Sequence, residues 1–286
     1  MKYIIIIAVI VAIFAFCYYE NNKIDITKYE INNENVFDKI KIVQLSDLHS
    51  KPFYKAIEKL KKINPDLIVI TGDYINDRCK RKNEMLEYGK MLVQIAPVFY
   101  ITGNHERRLD CFEELMKELR NIGFNVLLNE VQSVNINNTE INILGLDENQ
   151  ANFEDYKARK KGIFKYKDMS NFFKKLENTN GIKIVLSHFP ENFRGINEMN
   201  YSQYDFDIQF SGHAHGGQFI LPFIGPVFSP GQGLFPKYAK GSFGTRPKLI
   251  ISRGMGNAEF PLRLFNHPEI NEVTIKNNNV QNKADF

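Results

Sequence analysis

The chain opens with an unbroken apolar run: residues 4–16 (IIIIAVIVAIFAF) carry no polar side chain, and Cys17, Tyr18 and Tyr19 extend the stretch to Glu20. Over the 16 positions 4–19 a helix covers about 24 Å at about 1.5 Å per residue, against roughly 30 Å for the hydrocarbon core of a bilayer. A buried helix of a globular core keeps a polar face, and this one has none. Lys2 before the run and the paired tyrosines after it match a charged start and an aromatic belt. No A-x-A-like site closes the run, so it reads as an uncleaved signal-anchor, and Phe16 is too bulky for lipoprotein cleavage before Cys17. Residues 1–20 are therefore the expected membrane anchor, contacting lipid through 4–19. Lys2 and the α-amino group hold the short end in the cytoplasm, which sends the rest of a single-pass cell-membrane protein outward, with its catalytic domain extracytoplasmic. Residues 21–39, rich in Asn, Lys, Glu and Asp, are a tether or an edge strand, and 40–286 form the main domain.

From residue 40 short apolar runs alternate with amphipathic stretches, the pattern of β-α-β units. Residues 41–47 predict a strand, and Ala56, Ile57, Leu60 and Ile63 then recur at helical spacing before the Asn64-Pro65 break. A strand at 66–73, a helix at 84–95, a strand at 97–104 and a helix carrying Phe112, Leu115, Met116 and Leu119 complete the regular part. After Gly123 three closely spaced runs (FNVLLN, VQSVNIN, EINILGL) predict adjacent antiparallel strands. A charged segment (154–168), a helix (169–177) and strands at 182–188, 206–213, 248–254 and 269–275 follow. The Gly-, Pro- and aromatic-rich stretch 216–247 has no period and reads as long ordered loops.

Composition alters this picture little. Of 286 residues 43% are hydrophobic and 24% charged, which places the chain among globular proteins, and 37 Lys and Arg against 33 Asp and Glu leave +4. That charge is too mild and too evenly spread to indicate nucleic acid, so no specific nucleic-acid partner is expected. Three cysteines at irregular spacing form neither a disulfide framework nor a zinc ribbon; a Cys79–Cys111 pair stays open. A metal would have to use His, Asp or Asn.

Such residues stand where the apolar strands end: Asp47 and His49, Asp73, Asn104 and His105, His188, then His213 and His215. Ligand sites of α/β sheets gather at the carboxyl ends of strands. In D-x-H and H-x-H on extended backbone, side chains two apart point the same way, so one segment offers two donors. Paired divalent cations need a bridging carboxylate with nitrogen and oxygen ligands around it, and Asp73, after the tight Gly72, suits the bridge. The ordered blocks D-L-H, T-G-D, T-G-N-H-E, S-H and S-G-H-A-H resemble the calcineurin-like metallophosphoesterase superfamily from about residue 40 to the last strand.

The resemblance implies a four-layer α/β/β/α sandwich and a binuclear phosphoester hydrolase. It places Asp47, His49, Asp73 and His215 on one cation and Asp73, Asn104, His188 and His213 on the other, with manganese, zinc or iron as the metal. His105 is the implied catalytic residue, off the metals and facing the leaving group. GHAHGGQ, SPGQGLFPKYAKG, SRGMG and PLRLFNHPEI look like the membrane-tethered bacterial branch, associated with phospholipid, envelope and UDP-diacylglucosamine-type phosphoesters. That branch has an Asp where this chain has Asn76, with Asp77 next. Arg253, past a strand and beside Gly254, is a candidate phosphate contact, with a structural ion pair as its alternative; Glu106 reads as structural and His267 as a turn residue. The clusters Arg78–Lys82 and Lys157–Lys161 read as solvated faces, with steering of a phosphate or contact with anionic lipid as the alternative. Phe219, Phe223, Phe228, Phe235 and Tyr238 form an apolar wall for a lipid or sugar, or pack their own loop. The competing functions are a nuclease or a broad phosphomonoesterase on the same fold, or a binding protein without catalysis. The last would be expected to have lost ligands, and all seven positions are intact.

Overall fold

A computed structural model of the chain describes residues 2–78, 81–148, 168–194, 199–257 and 260–278. The apolar run is one helix, α1 (Lys2–Asn22), the one helix among the described residues long and apolar enough to cross a membrane. The stretch after it is not a loose tether: β1 (Asp25–Asn32) follows at once.

Three strand-helix units come next: β2 (Ile40–Leu45) and α2 (Tyr54–Ile63), β3 (Leu67–Thr71) and α3 (Lys82–Val93), then β4 (Val98–Ile101) and α4 (Phe112–Asn121). The spacing that predicts α2 is the face it buries, Ala56, Ile57, Leu60 and Ile63. It stops at Asn64, which adopts the left-handed conformation ahead of Pro65. The chain continues through β5 (Phe124–Val126), β6 (Glu130–Ile136), β7 (Thr139–Gly145), α5 (Ser170–Glu177), β8 (Ile182–Leu186) and β9 (Ile208–Ser211). The stretch expected to be loop contains two small hairpins, β10 (Ile220–Leu221) with β11 (Gly225–Pro226) and β12 (Phe228–Ser229) with β13 (Gly233–Leu234). The edge strand β14 (Gly241–Phe243), then β15 (Lys248–Ile251) and β16 (Glu269–Lys276), close the chain.

Two six-stranded sheets result, ordered β1-β16-β2-β3-β4-β5 and β14-β15-β9-β8-β7-β6. Of the three runs expected to be antiparallel only β6 and β7 pair that way; β5 adds parallel to β4 in the first sheet. Alternation along the strands sorts side chains into layers. Val43, Ile68, Ile70 and Val98 face α2, α3 and α4, whereas Ile42, Leu67, Val69 and Phe99 meet Ile143, Ile184 and Phe210 between the sheets. Leu144, Val185 and Leu249 on the far face of the second sheet pack against Phe173 and Leu176 of α5. This is the expected α/β/β/α sandwich. Inside it Gln44 joins the sheets, its Nε2 donating to Thr71 Oγ1 (3.0 Å) and across to the Ser211 carbonyl (2.8 Å). The Cys79–Cys111 pairing, Lys157–Lys161 and part of Arg78–Lys82 lie outside the described residues.

Candidate metal centre

The candidate ligands leave the carboxyl ends of five strands: Asp47 and His49 after β2, Asp73 after β3, Asn104 after β4, His188 after β8, and His213 and His215 after β9. All are buried. Asp47, His49, Asp73, His213 and His215 sit at φ between 48° and 62°. Side chains in that region cost on the order of 1–3 kcal/mol each and persist only where their surroundings over-determine them. Here the Asp47 amide donates to the Gly72 carbonyl (3.0 Å) and the His49 amide to that of Asp73 (2.9 Å). At Gly72 (φ 90°) a Cβ would lie 2.6 Å from both the Gly103 nitrogen and His188 Nδ1, so only glycine lets the turn pass.

The side chains converge in two clusters that share Asp73. In the first, His49 Nε2 lies 3.0 Å from His215 Nε2, 3.7 Å from Asp73 Oδ2 and 3.9 Å from Asp47 Oδ1, while His215 Nε2 is 3.4 Å from Asp47 Oδ1. In the second, His188 Nε2 is 3.4 Å from Asp73 Oδ2 and 3.2 Å from Asn104 Oδ1, and the His213 ring stands 5.0 Å from that of His188. Asp47–His49–His215, His49–Asp73–His105 and Asp47–Asp73–His188 each bring three donor atoms within 4.8 Å of one another, close enough to hold a metal ion.

The electrostatics match that use. Burial drives His49 down to about 3 and holds His213 and His215 well below the ordinary imidazole value, leaving neutral rings with a lone pair to offer. His188 is buried too, yet the Asp73 carboxylate beside it lifts it to about 10. Burial would raise Asp73, but His188, His105 and His49 together keep it well below the usual carboxylate range. His188 Nδ1 lies 2.7 Å from the Thr71 carbonyl, to which it donates, and this turns Nε2 toward the oxygens of Asp73 and Asn104. The protonated Nε2 then faces two acceptor oxygens, and a cation can take the place of that proton. Nitrogen and oxygen donors without thiolate suit manganese, iron or zinc.

His105 stands at the rim of the first cluster, its ring edge-on to His49 at 4.5 Å and its Nε2 4.0 Å from Asp73 Oδ2. The Asp77 amide approaches Nδ1 at 3.4 Å, and Nε2 is the nitrogen turned toward Asp73. Asp77 Oδ2 is 3.7 Å from the same Nδ1. Asp77, the acid next to Asn76, thus reaches the histidine. Glu106 is structural: its carboxylate accepts from the amides of Asp73 (3.1 Å), Gly103 (2.9 Å) and Ile75 (2.9 Å).

Arg253, the candidate phosphate contact, stands in ion pairs. Its Nε donates to Glu269 Oε1 (2.9 Å) and its Nη2 to Asp25 Oδ2 (3.2 Å). The cation behind the first cluster is Arg263, fully buried, with Nη2 3.5 Å from His215 Nδ1 and Nη1 donating to the Arg253 carbonyl (2.8 Å). Asn266 Nδ2 donates to the His215 carbonyl (2.7 Å). Glu148 anchors the His188 loop, accepting from the His188 amide (3.0 Å), Asn192 (2.6 Å) and Tyr201 (2.9 Å). Sequence reasoning assigned none of these three a role. The available signal was a polar residue at a strand end for Glu148, and polar residues inside an aperiodic apolar tail for Arg263 and Asn266. His267, read as a turn residue, bridges Glu20 Oε1 and Asp25 Oδ2, each at 3.0 Å.

Two sheets that carry His, Asp and Asn donors on one shared edge, between outer helix layers, define a metal-dependent hydrolase of phosphoesters. Residues 40–217 match the calcineurin-like phosphoesterase family, and the chain belongs to it. It is 30% identical to the uncharacterized metallophosphoesterase YkuE of Bacillus subtilis, over 92% of this chain and 89% of that one. It is 27% identical to the phosphodiesterase YaeI of Escherichia coli, over 80% of each. A Danio rerio transmembrane protein with metallophosphoesterase domain is 25% identical over 83% of this chain and 53% of its own length.

Proposed function

We propose that the enzyme cleaves phosphodiester or pyrophosphate bonds of lipid-linked or envelope substrates, UDP-diacylglucosamine-type compounds among them, at the outer face of the membrane that residues 4–19 span. It does so with two divalent cations, manganese, zinc or iron, one held by Asp47, His49, Asp73 and His215 and the other by Asp73, Asn104, His188 and His213. When bound, the cations supply Lewis-acid polarisation of the phosphoryl oxygens and lower the pKa of water. The neutral His49, His213 and His215 give lone pairs and Asp73 gives the shared negative charge. His105 holds its Nε2 proton toward the leaving-group oxygen.

One observation carries the membrane-substrate reading. The last turn of α1 docks on the sheet edge that bears the clusters: Asn257 Nδ2 donates to Asn21 Oδ1 (2.8 Å), Arg263 Nε donates to Asn257 Oδ1 (2.9 Å), and Arg263 Nη2 is 3.5 Å from His215. Two side chains thus separate the end of the anchor from a candidate ligand, and substrates confined to the bilayer meet the site at high effective concentration. The name of the Escherichia coli relative favours diesters.

The test is full-length enzyme in lipid nanodiscs, supplied with manganese and assayed on an aryl phosphate monoester, the matching diester and a UDP-linked diacyl sugar in the same bilayer. The diester is expected to outrun the monoester, and the lipid substrate to turn over faster in nanodiscs than in detergent. An inert lipid substrate beside a cleaved soluble diester would remove the membrane-substrate reading and leave the hydrolase. One ion per chain by elemental analysis would contradict the two-cation assignment.

A further inference from the structure

We infer that residues 219–235 and 260–265 form a collar that enters the outer leaflet beside α1 and seats the catalytic face against lipid; this rests on the reading that α1 spans the membrane. Phe223, at the tip of the β10-β11 hairpin, is fully exposed, Leu234, Phe235, Phe260 and Phe265 are each half exposed or more, and Leu262 is 41% exposed. Contiguous exposed apolar side chains of this size mark an interaction surface. The β10-β11 and β12-β13 hairpins have two-residue strands, so these side chains have no interior of their own to fill.

The two segments are one unit. Phe219 packs edge-on to Phe260 with ring centres 5.2 Å apart, the Ile220 amide donates to the Leu264 carbonyl (2.9 Å), and Gln218 Nε2 donates to the carbonyls of Phe260 (3.1 Å) and Leu262 (2.5 Å). What covers the unit follows from its contact with the anchor. Phe265 lies edge-on to Phe16 at 5.8 Å. Phe16 precedes Glu20 by four positions, about 6 Å along a helix, so Phe265 stands at the depth of the anchor's apolar segment. A side chain packed there meets acyl chains wherever α1 does, and an interfacial apolar face enters the headgroup boundary by about 5–10 Å. Tyr19, with Lys23 5.4 Å over its ring, marks the headgroup level on the same side. His215 is followed by Gly216, Gly217 and Gln218 and then by Phe219, so the collar begins four residues from a candidate ligand and brings the mouth of the site to the lipid surface.

The sequence contains no tryptophan, so single reporters give unambiguous fluorescence. Full-length Phe223→Trp and Phe235→Trp are placed, one chain per nanodisc, in lipids with brominated or ordinary acyl chains, beside Phe14→Trp within α1 and Phe37→Trp on the opposite edge of the sheets. Bromine is expected to remove most of the emission at 14, 223 and 235, with a blue shift, and to leave 37 unchanged. Quenching at 14 without quenching at 223 and 235 would overturn the collar while the anchor stands. No quenching at 14 would overturn the anchor reading beneath it. A blue shift at 223 and 235 without bromine quenching would mean burial against protein, such as a second copy of the chain, and would also overturn the collar.

Discussion

Asp73 is the carboxylate common to both clusters, so replacing it tests both at once. Asp73→Asn keeps the volume and removes the charge that His188, His105 and His49 surround. Loss of bound metal by elemental analysis and a fall in activity well beyond the about 10–100-fold typical of an outer partner are expected. His105 differs in kind, because it stands at the rim of the first cluster with its Nε2 4.0 Å from Asp73 Oδ2. His105→Ala should keep the metal content and lower kcat by about 10²–10⁴-fold, the range for a positioned acid. Retained metal with retained rate would remove His105 from the chemistry. Asp77→Ala, which unseats the Nδ1 side of that ring, should cost about 10-fold with metal content intact.

At the scale of elements, β1 and the end of α1 are part of the domain. β1 pairs with β16 along eight positions, from Asp25 opposite Glu269 to Asn32 opposite Lys276. A charged knot of Asp25, Arg253, Glu269, His267 and Glu20 locks the start of both strands to the helix. Burial pushes Asp25 up, but hydrogen bonds from His267 and Arg253 hold it below the ordinary carboxylate value. A depressed acid stabilises the fold above its unfolded pKa and loses that contribution as pH falls through its folded one. Asp25→Asn should therefore cost on the order of 1 kcal/mol near neutrality after solvent screening. Its melting temperature should converge with that of the parent in acid, and a gap independent of pH would show a packing effect instead. The knot was not legible in the sequence, because Thr27 and Glu269, hydrogen-bonded here, are 242 positions apart and nothing local reports that pairing. β2 through α4 were legible because each helix there buries the stripe that its spacing advertises. β5 was misread because three residues carry no signal of direction; its parallel partner is fixed by α4, which packs on it. The seven donors were legible as motifs at strand ends, whereas Arg263 and Asn266 enter from a segment without periodicity, where only the fold shows what they touch.

For the whole molecule the clusters form a seam. Asp47, His49, Asp73 and Asn104 come from the first sheet, and His188, His213 and His215 from the second. A cation in either cluster therefore binds both halves of the sandwich. The neutral His49, His213 and His215, the protonated His188 and two buried carboxylates face one another across this junction, where burial raises Asp47 to about 7. If the native state binds such cations and the unfolded chain does so poorly, occupancy at 100-fold over Kd adds about 2.7 kcal/mol per site by mass action. For a domain of this size that amounts to roughly 5–10 °C per site. Full-length enzyme stripped with a chelator should melt lower by that amount for each ion removed, and adding manganese should restore it in two steps if the sites differ in affinity. The helical content lost in the first transition of the stripped protein should be small, because α2, α3 and α4 pack on the outer face of the first sheet, away from the seam. Calorimetry with and without chelator decides this: an unchanged melting temperature, with metal shown to be removed, would mean that the cations do not hold the two sheets together and that the seam rests on Gln44 and the apolar layer alone.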